Sequence, residues 1–282
     1  MTDTALVLGT FDGLHTAHKK VLSAANGAKK RVAVIFSLPP SMVISGKTEL
    51  LQTVEEKIEM FKSFGFTVET LDFNKVRSLT AEEFLQSLLE KYNPKTICCG
   101  YNYHFGFGGK GNTELLSDFC KENGITLSVT PAVEMLGDRV SSSRIRALIR
   151  DGDVETANKL LSRPFATKGT VTHGDSRGRT LGYPTINFPY PADICELKHG
   201  VYATRVNING AEYSAVTYVG KRPTYKLENT ILETNIIGFE GDLYEKELTV
   251  HFLQYIRGEK TFSSTEELKN QINADIISAQ NK

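Results

Sequence analysis

Between the apolar run ALVL at residues 5–8 and VLSAA at residues 21–25 lies GTFDGLHTAHKK, residues 9–20, and this stretch constrains the fold more than any other. A short apolar run ending in glycine reads as a buried strand, the glycines at 9 and 13 mark a turn, and the residues that follow read as a helix. His15 and His18, three apart, then share a helical face beside backbone N–H groups that the first helical turn leaves without acceptors. Such an arrangement receives phosphate, because imidazole donors and a helix N-terminus stabilise the charge that grows on a phosphoryl group in transfer. Histidines at this spacing also occur as surface or capping residues, and spacing alone does not separate the two readings.

Alternation of strands and helices continues through the first half. RVAVIF (31–36) reads as a second buried strand. TVEE (53–56) is a capping box ahead of Ile58, Met60, Phe61 and Phe64, closed by Gly65; residues 67–73 form a strand candidate; TAEE (80–83) is a second capping box before Phe84, Leu85, Leu88 and Leu89; residues 95–100 return to strand. The pattern predicts a parallel sheet with helices on its faces, which binds ligands at the carboxyl ends of its strands, where the 9–18 turn lies. GYNYHFGFGGKG (100–111) ends in a G-x-G-x-x-G match that comes late in the sheet and lacks the acid of a dinucleotide fingerprint, so it is not read as one. Alternating Tyr101, Tyr103, Phe105 and Phe107 offer a face for stacking on a planar ligand, or simply core. In SSSRIR (141–146), Ser142 and Ser143 offer capping hydroxyls and free amides, and Arg146, one turn inside, can fork onto phosphate; the same run also serves as an ordinary helix cap.

The character of the chain changes after a helix over residues 153–161, ended by Arg163 and Pro164, so the boundary is placed to give domains of residues 1–162 and 163–282. Strand-like segments at 169–172, 200–208, 213–219, 231–237 and 248–253, with an Asn209-Gly210 hairpin turn and no intervening helices, predict a small antiparallel barrel. STEE (264–267) is a third capping box, and Leu268, Ile272, Ile276 and Ala279 form a stripe to cover the barrel. Within GTVTHGDSRGRTLGYPTINF (169–188), Gly174, Gly178 and Gly182 let backbone approach a ligand while Arg177 and Arg179 supply charge. Thr185 and Asn187, two apart on a strand, share a face whose oxygens suit Mg²⁺. Glu233, on a later strand, is placed to accept the proton of a hydroxyl attacking a γ-phosphate. The same residues also read as hairpin turns and a cross-strand partner.

Composition narrows the classes. Thirty-three basic and 33 acidic residues give zero formal net charge over 282 residues, which excludes a broad basic field for nucleic acid or anionic membrane. No apolar run reaches a membrane span and the N-terminus lacks a leader pattern, so a cytoplasmic protein is expected. Cys98, Cys99, Cys120 and Cys195 show no C-x-x-C pair and are expected as buried thiols.

Residues 9–18 resemble the G-x-F-D-G-x-H-x-G-H signature of the nucleotidylyltransferase superfamily, and residues 141–146 are similar to its I-S-S-T-x-I-R signature. Residues 169–187 match G-x-V-x-H-G-x-x-x-G-R-x-L-G-x-P-T-x-N throughout, and GVYA (200–203), GKRPT (220–224) and GDLY (241–244) match further blocks of one family. The chain thus resembles the bacterial bifunctional riboflavin kinases/FMN adenylyltransferases over nearly its whole length. The resemblance implies an α/β protein: an N-terminal Rossmann-like nucleotidylyltransferase domain and a C-terminal six-stranded antiparallel β-barrel with a terminal helix. It implies ATP and Mg²⁺ as cofactors, flavins as substrates and products, and small molecules as partners, with no nucleic acid or membrane and with self-association left open. For adenylyl transfer it implies His15, His18 and Arg146 as catalytic residues, with Gly9, Phe11, Asp12, Gly13, Asn102, Ser142 and Ser143 binding ligand. For the kinase it implies Glu233 as base for the ribityl 5′-hydroxyl, Thr185 and Asn187 at Mg²⁺ and ATP, and Gly174, Arg177, Gly178, Arg179 and Gly182 around phosphate. Four positions depart from the family pattern: Ala17 replaces a glycine, Pro39 a histidine, Asn235 a histidine and Glu245 a glycine. Those departures keep two alternatives in view, a chain with one activity retained, foremost the adenylyltransferase, and a non-catalytic flavin-binding regulator.

Overall fold

Alternate residues of the first apolar run face opposite ways and both are buried: Leu6 and Leu8 join one core cluster, Ala5 and Val7 another. A strand buried on both faces belongs in the middle of a sheet covered by helices. In the computed structural model, which describes residues 3–172, 182–221 and 230–282, that strand is β1 (Thr4–Gly9). With β2 (Lys30–Phe36), β3 (Thr67–Leu71), β4 (Thr96–Gly100) and β5 (Thr126–Thr130) it forms a five-stranded parallel sheet of order β3-β2-β1-β4-β5. Strand order reverses at β1, which pairs with β2 on one side and β4 on the other. Helices α1 (Thr16–Ser23), α2 (Pro40–Ser45), α3 (Val54–Ser63), α4 (Phe73–Val76), α5 (Ala81–Tyr92) and α6 (Thr113–Glu122) occupy the connections. Both capping boxes in this half form with Thr53/Glu56 and Thr80/Glu83 as partners.

Two compact units divide the chain, residues 1–142 and 143–282. Helix α7 (Ser142–Asp151) begins at the division, and α8 (Val154–Leu161) belongs to the second unit, where the Asn158 amide donates to Phe252 O and accepts from Phe165 N. A two-stranded ribbon, β6 (Glu134–Met135) and β7 (Asp138–Arg139), precedes that division.

The second unit holds β8 (Phe165–Thr170), β9 (Ile186–Pro189), β10 (Gly200–Ile208), β11 (Ala211–Lys221), β12 (Thr230–Ile236) and β13 (Glu247–Arg257) in one antiparallel sheet of order β8-β13-β10-β11-β12-β9. A bridge between Thr172 and Asn187 joins the two edges, so the sheet curls into a nearly closed barrel. Asn209 and Gly210, both with positive φ, make the tight turn between β10 and β11. Helix α9 (Thr265–Gln280) packs against β10 and β11. Its start corrects the sequence expectation: Ser264 caps Glu267 N, but the Glu267 carboxylate accepts from Ser263 N and Oγ, so the box is half formed. Asp275 also interrupts the expected apolar stripe, buried in a three-bond pairing with the Arg257 guanidinium. All four cysteines are free and buried.

Candidate active sites

In the first unit the turn after β1 is built from residues that are expensive to place. Phe11 and Leu14 hold positive φ, which costs a bulky L-residue of order 1–3 kcal/mol, and persists only where surroundings enforce it. Phe11 is held by edge contacts with His18 and Phe61, and a Cβ at Gly9 would lie 3.0 Å from its ring. Buried Asp12 accepts from Leu51 N at 3.0 Å through Oδ1, and its carbonyl accepts from Ser142 Oγ at 2.9 Å. Gly13 takes the left-handed conformation between them. The turn is thus pinned by residues 39 and 130 positions away.

The histidines differ from expectation in one respect. His15 is the N-cap of α1 and not part of the helix; its Nδ1 accepts from His18 N at 3.3 Å. The two rings stack at 3.5 Å with 14° between planes. Accepting through Nδ1 places the proton of neutral His15 on Nε2. Burial, then His15 and then Lys57 hold the pKa of His18 well below 6.5, so this imidazole is neutral at physiological pH. Both histidines follow the carboxyl end of β1, where strand order reverses, the place at which open α/β sheets bind ligands. Asn102 is exposed just past the carboxyl end of β4, the neighbour of β1. Ser142 closes the first unit, while Ser143 and Arg146 lie in the second, on α7.

The aromatic segment after β4 is not a strand face. Tyr103 and Phe105 stack on each other at 5.4 Å and pack into the core, whereas Tyr101 and Phe107 are exposed. A turn at 101–102 and a 3-10 turn at Phe107–Gly109 break the alternation. Gly106 and Gly111 serve packing: a Cβ at Gly106 would lie 2.6 Å from the Ala81 backbone, and one at Gly111 2.6 Å from the Phe105 ring.

In the barrel, β12 alternates buried and half-buried residues, placing Glu233 and Asn235 on the same side. Glu233 stands directly opposite Asn187 on β9 and opposite Tyr218 on β11. With Thr185 and Asn235 it lines a cavity of about 430 Å³ whose walls include Val201, Val216, Phe262, Leu268 and Ile272. Thr185 also lines a second cavity of about 610 Å³ bounded by Val171, Thr234 and residues 239–244. Thr185 therefore stands where the two spaces meet. Asn235 donates to Pro184 O at 2.8 Å, bracing the backbone just before Thr185. Tyr218 donates to Glu259, a second carboxylate in the first cavity. Gly182 is exposed with positive φ; Gly174, Arg177, Gly178 and Arg179 lie outside the described residues. Among the described residues no cluster of three His, Cys, Asp or Glu could hold a metal. The hydroxyl of Thr185 and amide oxygen of Asn187 are hard donors, which fit Mg²⁺ because that ion takes few protein ligands and completes its shell with water and phosphate.

Sequence reasoning passed over Lys57, Asp275 and Glu259. Lys57 is the sharpest omission, a lysine 1% exposed whose Nζ donates to Phe36 O at 3.0 Å and Thr10 O at 3.3 Å. Its spacing was the available signal, since it falls one turn before Phe61 on the inward side of α3.

A family described as FAD synthetase matches residues 1–144, and one described as riboflavin kinase matches residues 161–282. The bifunctional riboflavin kinase/FMN adenylyltransferase of Bacillus subtilis is 31% identical over 96% of this chain and 90% of its own length. The Escherichia coli protein of the same name is 32% identical over 98% and 91%. A crystal structure described as a macrolide-efflux protein from Streptococcus pneumoniae superposes over 100% of this chain and 95% of its own, with TM-score 0.92 and 33% identity. Among the described residues of the present chain no helix is long and apolar enough to cross a membrane.

Proposed function

Since the chain belongs to the bifunctional riboflavin kinase/FMN adenylyltransferase family, we propose that it makes FAD from riboflavin in two ATP-dependent steps, one on each unit. The observation that carries this reading is the register that sets Glu233 opposite Asn187, beside a largely apolar cavity that meets a second one at Thr185. A flavin ring system suits the first cavity, whose volume falls in the range of small-molecule sites. The second suits ATP.

In the kinase step Glu233 accepts the proton of the ribityl 5′-hydroxyl as its oxygen attacks the γ-phosphorus of ATP, and ADP leaves. Thr185 and Asn187 would hold Mg²⁺, which when bound neutralises phosphate charge and orients the transferred group. Asn235 keeps the 184–185 backbone in place. Gly174, Arg177, Gly178, Arg179 and Gly182 are assigned to the phosphates.

In the adenylyl step a phosphate oxygen of FMN attacks the α-phosphorus of ATP and pyrophosphate leaves. His15, whose Nδ1 is taken up as an acceptor, donates through Nε2 and the neutral His18 ring through its one N–H to oxygens that gain charge in the transition state, and the α1 N-terminus adds its dipole. No protein nucleophile is needed. Gly9, Phe11, Asp12 and Gly13 shape the turn; Asn102 and Ser142 are assigned to the ligand on this unit.

The test is a chromatographic time course with the purified chain, ATP and Mg²⁺, started in parallel from riboflavin and from FMN. FAD from both starts, with FMN transient in the first, is the expected result. FAD from FMN alone would leave the barrel silent, riboflavin halting at FMN would silence the first unit, and no product from either would sink the enzyme reading.

A further inference from the structure

We propose that Lys57 is a positioning residue for adenylyl transfer, fixing the crevice edge and supplying buried positive charge behind the histidine turn without touching substrate. The inference rests on the adenylyltransferase reading of the first unit.

A lysine almost wholly removed from water is costly, and a methionine or leucine would pack at such a position without that cost. What the ammonium obtains in return is specific. Phe36 is the last residue of β2 and Thr10 the first after β1, so one Nζ ties together the carboxyl ends of two adjacent parallel strands. Those ends border the crevice in which phosphates arrive. Carbonyl oxygens left bare there would present negative partial charge to a polyanion. Bonded to an ammonium they present none, and the excess charge of Lys57 favours the transition state through the thin layer of turn between them.

The charged and titratable groups coupled to Lys57 come from the turn after β1 and from α1: Asp12, which supports its protonated form, and His18. On its own helix, Glu56 is engaged in the Thr53 cap. Burial lowers the pKa of Lys57 and Asp12 opposes that shift. Lys57 in turn helps to hold His18 neutral, as the donor role requires. One ammonium therefore acts on both the shape of the turn and the protonation of its imidazole.

The test uses the full chain, whose riboflavin kinase step reports on folding independently of the first unit's chemistry. In Lys57→Met, kcat for FMN to FAD should fall about 100-fold, with KM for ATP and FMN within about threefold of wild type. The acid limb of its kcat–pH profile should move to higher pH, because a buried cation that opposes protonation of His18 has gone. Riboflavin phosphorylation should be unchanged. Lys57→Arg, which keeps charge and donors, should lose about tenfold or less and retain the wild-type acid limb.

An unchanged kcat in Lys57→Met, a loss confined to KM for ATP, or a loss matched by the kinase step overturns the proposal. So does an acid limb that moves in Lys57→Arg, a result readable even if the methionine variant does not fold. Wild-type protein that makes no FAD from FMN instead defeats the underlying adenylyltransferase reading, and is seen before any variant is made.

Discussion

The two phosphate-handling regions reach their geometry by opposite routes. In the first unit the candidate histidines cap and begin α1 directly after a turn that has no ladder of its own, and the shape of that turn is imposed from afar by Leu51, Lys57 and Ser142. Phe11 and Leu14 store backbone strain there under complete burial. In the barrel, Glu233 and Asn187 ride on paired strands, and the antiparallel register alone fixes their separation. A turn-borne site is therefore vulnerable to substitutions far from its chemistry, whereas a strand-borne site is vulnerable chiefly at the residues that react. Lys57→Met probes the first half of that statement; the variants below probe the rest.

The largest effect should come from Glu233→Gln. Removing a general base while keeping size and strand pairing should lower riboflavin phosphorylation roughly 10²–10⁴-fold. Riboflavin binding, followed by flavin fluorescence, should survive, and FMN should still become FAD. If binding falls as far as turnover, Glu233 is a binding residue and the base lies elsewhere.

His18→Ala mirrors that experiment in the first turn of α1, with an expected loss of about 100-fold in kcat for FAD formation from FMN. A pH dependence accompanies it. His18 titrates at 6.5 when unfolded and well below that when folded. Between those values the unfolded chain binds more protons, so the first unit loses stability as pH falls below 6.5 and is indifferent to His18 above it. Hydrogen exchange of the α1 and β1 amides across pH 5–8 would show the decline in wild type and its absence in His18→Ala. An identical decline in both would place the titrating group elsewhere.

The same contrast explains what could be read from the amino-acid sequence. Strands and capped helices of the first unit were legible because burial on alternate faces and Thr-x-x-Glu boxes are local signals, and the alternation implied the parallel sheet. The hairpin at Asn209-Gly210 was legible for the same reason. The aromatic run at 101–107 misled because period-2 spacing was followed across a turn that only the packing of Tyr103 and Phe105 reveals. His15 was placed inside α1, whereas its imidazole makes it the cap. Lys57 and Asp275 escaped because each is a charged residue at a core position, justified only by partners 21 and 18 residues distant. Long-range compensation of that kind leaves no mark in a local window.

Glu245 offers the smallest test and the one with competing terms. It replaces a glycine of the family pattern, and its φ of 63° explains why glycine is found there. Its N–H donates to Val171 O at 3.0 Å, which holds the conformation, but its side chain is exposed and nothing buries the strain as happens at Phe11. Glu245→Gly should relieve about 1–2 kcal/mol of left-handed backbone cost. Against that, glycine loses about 0.5–1 kcal/mol more than other residues in conformational freedom on folding. The difference favours the variant by up to about 1.5 kcal/mol, a rise of a few degrees in the thermal midpoint of the barrel. Because the lining of the larger cavity runs through Gly241, Asp242, Leu243 and Tyr244 and stops short of Glu245, KM for ATP in the kinase step should stay close to wild type. A lower midpoint would mean that the Glu245 side chain contributes more than its backbone costs, and the barrel loop would then share the first unit's reliance on contacts beyond its own turn.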